Sequence, residues 1–135
     1  MTTFYEVFGT DKDAEKSGIW LDYGEAGQIK IARAGGGNKS YTQALQKMVK
    51  EHRHQMDTDT MADAVADKLT LAIFVNHVLL DWKGVKGPDG KVLTFGDKNA
   101  VKLLKDLPDL YTDLQAQSRK ISNFRAEAIE ADAKN

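Results

Sequence analysis

The chain has 135 residues, no cysteine, a formal net charge of −1, 41% hydrophobic and 29% charged residues. That mixture suits one globular domain over residues 1–135, and it excludes disulfides, thiolate metal sites and cysteine nucleophiles. The near-zero charge supplies no overall field for nucleic acid or an anionic membrane, and residues 1–13 show neither a basic region nor an apolar run that would mark a secretory leader.

In chain order, Phe4, Tyr5, Val7 and Phe8 predict a short helix, and residues 9–17 read as a polar, mobile connection. Residues 18–23 and 28–33 carry β-branched and aromatic or alternating residues around Gly24-Glu25-Ala26-Gly27, which predicts a β-hairpin. Ile29 and Ile31 share one of its faces. The run Ala34-Gly35-Gly36-Gly37 breaks the strand, and Asn38 is placed to cap a helix beginning at Lys39. That helix has an inner stripe of Tyr41, Ala44, Leu45, Met48 and Val49. A junction follows over residues 55–60, with Asp57 or Thr58 starting the next helix.

The stretch that the rest must cover is residues 61–81, with the inner sequence LTLAIFVNHVLL. Met61, Val65, Leu69, Ile73 and Leu80 form one helical stripe, while Leu71, Phe74, Val75, Val78 and Leu79 fill other faces. A helix apolar on so many sides has to be surrounded by its own chain or by a second copy. It is shorter than the roughly 18–20 apolar residues a bilayer crossing needs. Residues 82–95 then read as a second hairpin turning at Gly87-Pro88-Asp89-Gly90. A helix is expected from Lys98 to Asp106, burying Val101, Leu103, Leu104 and Leu107, and a last one from Asp109 to about Ala131 starts after Pro108. Its end is expected to fray, so residues 1–17 and 130–135 are the less ordered parts. The fold class is mainly α with small β-hairpins, an α+β arrangement packed around the central helix.

The chemistry-bearing candidates are sparse. Arg33 to Ser40 lies between strand and helix as a phosphate loop would, but Asn38 and Arg33 stand where that motif needs glycines. An anion- or nucleotide-binding protein using Gly35 to Asn38 is therefore the weaker alternative to a flexible joint. His52 and His54 do not share a helix face, so they read as a solvated helix end. His77 reads as a satisfied core histidine, and the aspartates 57, 59 and 63 as capping groups. No catalytic residue, metal ligand or cofactor is expected, and the chain is not read as an enzyme.

Taken together, Ile29-Lys-Ile-Ala-Arg-Ala-Gly-Gly-Gly-Asn-Lys-Ser-Tyr41, the apolar helix, Trp82-Lys-Gly-Val, Asp89-Gly-Lys-Val-Leu-Thr-Phe95, Asn99 and Leu107-Pro-Asp-Leu110 resemble the tail assembly chaperones of long, non-contractile-tailed, lambda-like phages. The resemblance covers roughly residues 18–125. It implies a non-catalytic viral morphogenesis protein that binds the tape-measure protein, keeps it soluble and helps recruit tail-tube subunits. It further implies a mostly helical oligomer, self-associating into an open spiral in the cytoplasm of the bacterial host and absent from the mature virion. A structural tail or connector subunit is the other virion-related alternative. The expected partner and self-association surface comprises Arg33, Asn38 and Lys39 at the glycine run, with Leu71, Phe74, Val78 and Trp82 on and after the central helix. The resemblance also implies a longer product made by a programmed −1 frameshift, which would contact the tail tube; Ala133-Lys134-Asn135 permits a slippery codon run.

Overall fold

A computed structural model describes residues 2–125. The elements are α1 (Phe4–Phe8), α2 (Lys12–Ser17), β1 (Ile19–Asp22), β2 (Gln28–Ile31), α3 (Lys39–Asp57), α4 (Asp63–His77), β3 (Leu79–Lys83), α5 (Asp97–Asp106) and α6 (Pro108–Arg119), with 3-10 turns at Gly24–Ala26 and Ile121–Phe124. The fold is mainly helical with one small antiparallel sheet, ordered β1-β2-β3.

Local chemistry accounts for the N-terminal elements. Thr3 and Glu6 form a reciprocal capping box on α1. The Asp11 carboxylate accepts from the Asp13 and Ala14 amides and starts α2. Within the expected connection over residues 9–17, Lys12–Ser17 is thus a capped helix, and it holds the buried Ala14 and Glu15. The first hairpin forms as predicted, with Ile19 opposite Ile31 and Leu21 opposite Ile29. Gly27 is required near its turn: at φ 127° a Cβ there would lie 2.6 Å from the Lys83 carbonyl oxygen.

The central helix differs most from expectation. It spans Asp63–His77, and Leu79–Lys83 is a strand instead of its last turn. A run such as Val78-Leu79-Leu80 satisfies helical and buried-strand periods equally. The free edge of β2 supplies the hydrogen-bonding partner that settles it. β3 pairs antiparallel with β2, placing Trp82 opposite Ile29 and Leu79 opposite Ile31 across a register shift. The expected second hairpin is consequently split. Its first arm completes the sheet, and the remainder is held by the Lys86–Val92 bridge and a Leu93 N–H to Val85 carbonyl bond. The turn itself is present, with the Gly90 amide bonded to the Gly87 carbonyl.

Other boundaries move for similar reasons. α3 continues to Asp57, so neither Asp57 nor Thr58 starts α4. α5 buries Ala100 and Leu104, with Val101 and Leu103 half-buried and Leu107 exposed. α6 ends at Arg119, and the following 3-10 turn inserts Phe124 fully into the interior. Residues 126–135, including the expected helix end and the Ala133-Lys134-Asn135 site, lie outside the described residues.

One apolar core joins the sheet to the helices: Ile29, Ile31, Leu79 and Trp82 from β2 and β3, Leu71, Phe74, Val75 and Val78 from α4 and its exit, and Val85, Ala100, Leu104 and Leu114. Burying each large side chain is worth about 1.5–3 kcal/mol. Much of the apolar surface of α4 is therefore covered by this chain's own β3, α3 and α5, with Phe74 edge-on to Tyr111 of α6, while Val65 stays exposed. Among the described residues, no helix is long and apolar enough to cross a membrane.

Candidate functional site

The glycine run that the sequence singles out is a structural junction. Strand β2 delivers Arg33 to the joint, and α3 leaves it at Lys39. The Arg33 amide donates to the Glu15 carbonyl at 2.9 Å, and the Ala34 amide to the Ser118 carbonyl at 2.9 Å. Those two bonds dock α2 and α6 on the same joint.

Glu15 is the group around which the loop is shaped. Its side chain is fully buried, and its Oε2 accepts from Arg33 Nη1 at 3.0 Å and from the Gly37 amide at 2.7 Å. Oε1 accepts from the Thr10 hydroxyl and lies 3.5 Å from Lys12 Nζ. Gly36 has φ 53°, and a Cβ there would fall 1.9 Å from Glu15 Oε2, so glycine leaves room for the carboxylate. Burial by itself would raise the Glu15 pKa. The bonds from Thr10, Gly37 and Arg33 outweigh burial and hold it at about 2. The backbone amide and guanidinium that an external anion would use are thus already turned onto an internal carboxylate. The alternative reading of this loop as a nucleotide or anion site loses its donors.

Asn38 is buried and makes no side-chain cap to α3. Its Nδ2 instead donates to the Arg33 carbonyl at 2.9 Å and to the His77 carbonyl at 2.8 Å, while Oδ1 accepts from Ser40 Oγ at 3.0 Å. His77 is the last residue of α4, so this bond satisfies a carbonyl left open at that helix's C-terminus. The expected placement of Asn38 in a partner surface is corrected accordingly: it ties α4 to the joint. Asn38→Ala is expected to lower stability by about 1–3 kcal/mol, because two part-buried carbonyls lose their donor. Asn38→Asp should cost more, since a carboxylate would face two carbonyl oxygens. Urea midpoints of the two variants check both the size and the order.

The other expected interface residues separate. Arg33 is committed to Glu15, so reversing its charge would break the joint rather than report on a partner. Lys39 is exposed at the first turn of α3. Leu71, Phe74, Val78 and Trp82 are all buried in the core and are not offered to a neighbour. His77 is half-buried, with Nδ1 3.3 Å from Ser40 Oγ. Among the described residues, no three histidine, aspartate or glutamate side chains come together as a metal site.

Sequence reasoning passed over Glu15, because Lys12-Asp-Ala-Glu-Lys-Ser reads as a solvated turn of helix. It also passed over an open apolar cleft of about 290 Å³ between the sheet and α5–α6. Tyr23, Ile29, Val85, Leu103, Leu107 and Leu110 line it, and Leu107 is 48% exposed. Tyr23 is fixed there by donating its hydroxyl to Asp113 at 2.6 Å, which anchors the hairpin to α6. Further apolar exposure is found at Phe4, Tyr5 and Phe8 on α1 and at Val49, Met56 and Val65 on α3 and α4.

The family model described as YdaY prophage protein matches residues 36–135. Neither the curated proteins nor the solved structures hold a significant match to the chain. The matched segment begins inside the glycine run and contains α3 through α6, β3 and most of the core. The chain belongs to the YdaY prophage protein family.

Proposed function

We propose that this prophage-family protein is a non-catalytic tail assembly chaperone that holds the tape-measure protein soluble and helps bring tail-tube subunits to it. The observation that carries the reading is the cleft between the sheet and α5–α6. Four residues from segments that carry the resemblance, Ile29, Val85, Leu107 and Leu110, meet in its walls. A cleft of this kind takes apolar side chains from one face of a partner helix, the helix-in-groove mode of recognition. The host cytoplasm is the place of action, the mature virion lacks the protein, and a frameshifted longer form supplies the tail-tube contact.

Co-expression with the tape-measure protein of the same prophage tests this. The wild type is expected to keep that protein in the soluble fraction and to co-purify with it. Leu107→Asp places a charge in the cleft at an exposed position, so the fold should persist while capture falls at least about tenfold, the effect of losing one well-buried apolar contact. Unchanged capture by the variant removes the cleft as the docking place. No capture by the wild type removes the chaperone reading itself.

A further inference from the structure

We propose that α1 of one copy seats in the cleft between the sheet and α5–α6 of a second copy, a head-to-tail contact. α1 is five residues long and buries none of them. Its rings Phe4, Tyr5 and Phe8 are 81%, 90% and 60% exposed. Phe4 and Phe8 share one side of the helix, with 6.2 Å between ring centres, as residues four apart do. A cluster of aromatic rings left in water marks an interaction surface. The helix is also held in place before it binds. A capping box fixes its start, the Gly9 amide bonds to the Tyr5 carbonyl at 2.8 Å, and Arg125 Nη2 donates to the Val7 carbonyl at 2.6 Å. Rings mounted on a preformed turn lose little freedom on docking.

Position, chemistry and charge pair this helix with that cleft. Thr10 follows α1 closely and bonds to Glu15, which bonds to Arg33. α1 therefore stands by the glycine joint, at the end of the sheet where β2 finishes. The cleft is lined by Tyr23, Ala26 and Gly27 around the hairpin turn, at the opposite end. A four-residue strand separates the two ends by about 13 Å. One molecule thus carries an aromatic projection at one end and an apolar hollow at the other. Their contact is heterologous, and each added copy leaves a free α1 and a free cleft. Glu6 is the one charged residue of α1, and Lys86 is the one charged residue lining the cleft. Among the described residues, neither takes part in an ion pair. Glu6 Oε2 serves the capping box, so Oε1 is left for Lys86. Three rings of about 150–250 Å² each approach the roughly 800 Å² per partner of a stable interface, so the contact is reversible.

The contact is a property of the chain alone and does not rest on the chaperone reading. Where that reading holds, a neighbour's α1 and the partner helix compete for one cleft. Sedimentation velocity of the full chain over a concentration series tests the contact without any tape-measure protein. The wild type is expected to pass from monomer to species larger than a dimer. Phe4→Ser with Phe8→Ser removes two exposed rings, and Leu107→Asp places a charge in the cleft. Each of these proteins alone should associate at least about tenfold more weakly, with the wild-type circular dichroism and melting temperature retained. Mixed in equal amounts, they should form a dimer that grows no further, because the first keeps its cleft and the second keeps its α1. Lys86→Glu should weaken assembly, and added salt should weaken that of the wild type. A wild type that stays monomeric throughout, a ring-depleted variant that assembles as well as the wild type, or a mixture that gives no dimer would each overturn the proposal.

Discussion

Replacing Trp82 by alanine is expected to lower stability by about 3–5 kcal/mol, the usual loss for truncating a buried aromatic. Trp82 is 6% exposed, stacks edge-on against Phe95 at 5.0 Å between ring centres, and donates its indole N–H to the Leu93 carbonyl at 2.7 Å. It therefore joins β3 to the segment after the turn, where few other bonds hold. Trp82→Phe keeps most of the apolar volume but strands the Leu93 carbonyl, so it should lose a smaller amount, about 1–3 kcal/mol. Urea denaturation separates the two variants. Equal midpoints for wild type and Trp82→Ala would mean that the side chain contributes nothing to the core.

Glu15→Ala is expected to be nearly as damaging, by about 3 kcal/mol, because it leaves Arg33, Thr10 and the Gly37 amide without their shared acceptor. The same group predicts the response to acid. Its folded pKa of about 2 lies below the ordinary value of 4.5, so the fold favours the ionised carboxylate. The stabilisation is complete above pH 4.5 and is lost as pH falls from there toward 2. Melting temperatures of the wild type should drop across that window. Glu15→Gln should start lower at neutral pH and lose less on acidification. Parallel curves for the two proteins would show that Glu15 does not control the acid response.

Much of the architecture follows from short-range rules. The first hairpin is readable from alternation around a glycine-rich turn. α3 is readable from its stripe, α5 from Asp97 and its apolar spacing, and the start of α6 from Pro108. These features depend on the period of side chains along one element and on residues with restricted or permissive φ. Both are properties of a few consecutive residues, so no distant partner is needed to see them.

The candidate site was less visible. Arg33, Asn38 and the glycines stand out because strand-to-helix joints with glycine attract attention, yet their roles depend on groups far away in the chain. Asn38 reaches His77, 39 residues on, and Arg33 reaches Glu15, 18 residues back. Nothing in Lys12-Asp-Ala-Glu-Lys-Ser distinguishes Glu15 from its exposed neighbours until the loop closes over it. The cleft likewise draws Ile29, Val85, Leu107 and Leu110 from separate elements. A pocket is a relation between surfaces, and one-dimensional spacing carries no trace of it.

The apolar content of residues 69–80 dictated that some of this stretch would be interior: Leu71, Phe74, Val75, Val78 and Leu79 are buried, while Thr70 and Asn76 are exposed. Composition also dictated a core without disulfides, since there is no cysteine to form one. Where α4 stops was left to long-range pairing. Val78 through Trp82 could continue a helix or enter a sheet with equal local satisfaction, and the unpaired backbone of β2 selected the sheet. That pairing buried Trp82, the packing of α4 on the sheet and α5 turned Leu71, Phe74 and Val78 inward, and together they closed the faces that an isolated helix would have offered to a partner. Local sequence sets which side chains must leave water; the backbone hydrogen bonds available elsewhere in the fold set what they meet when they do.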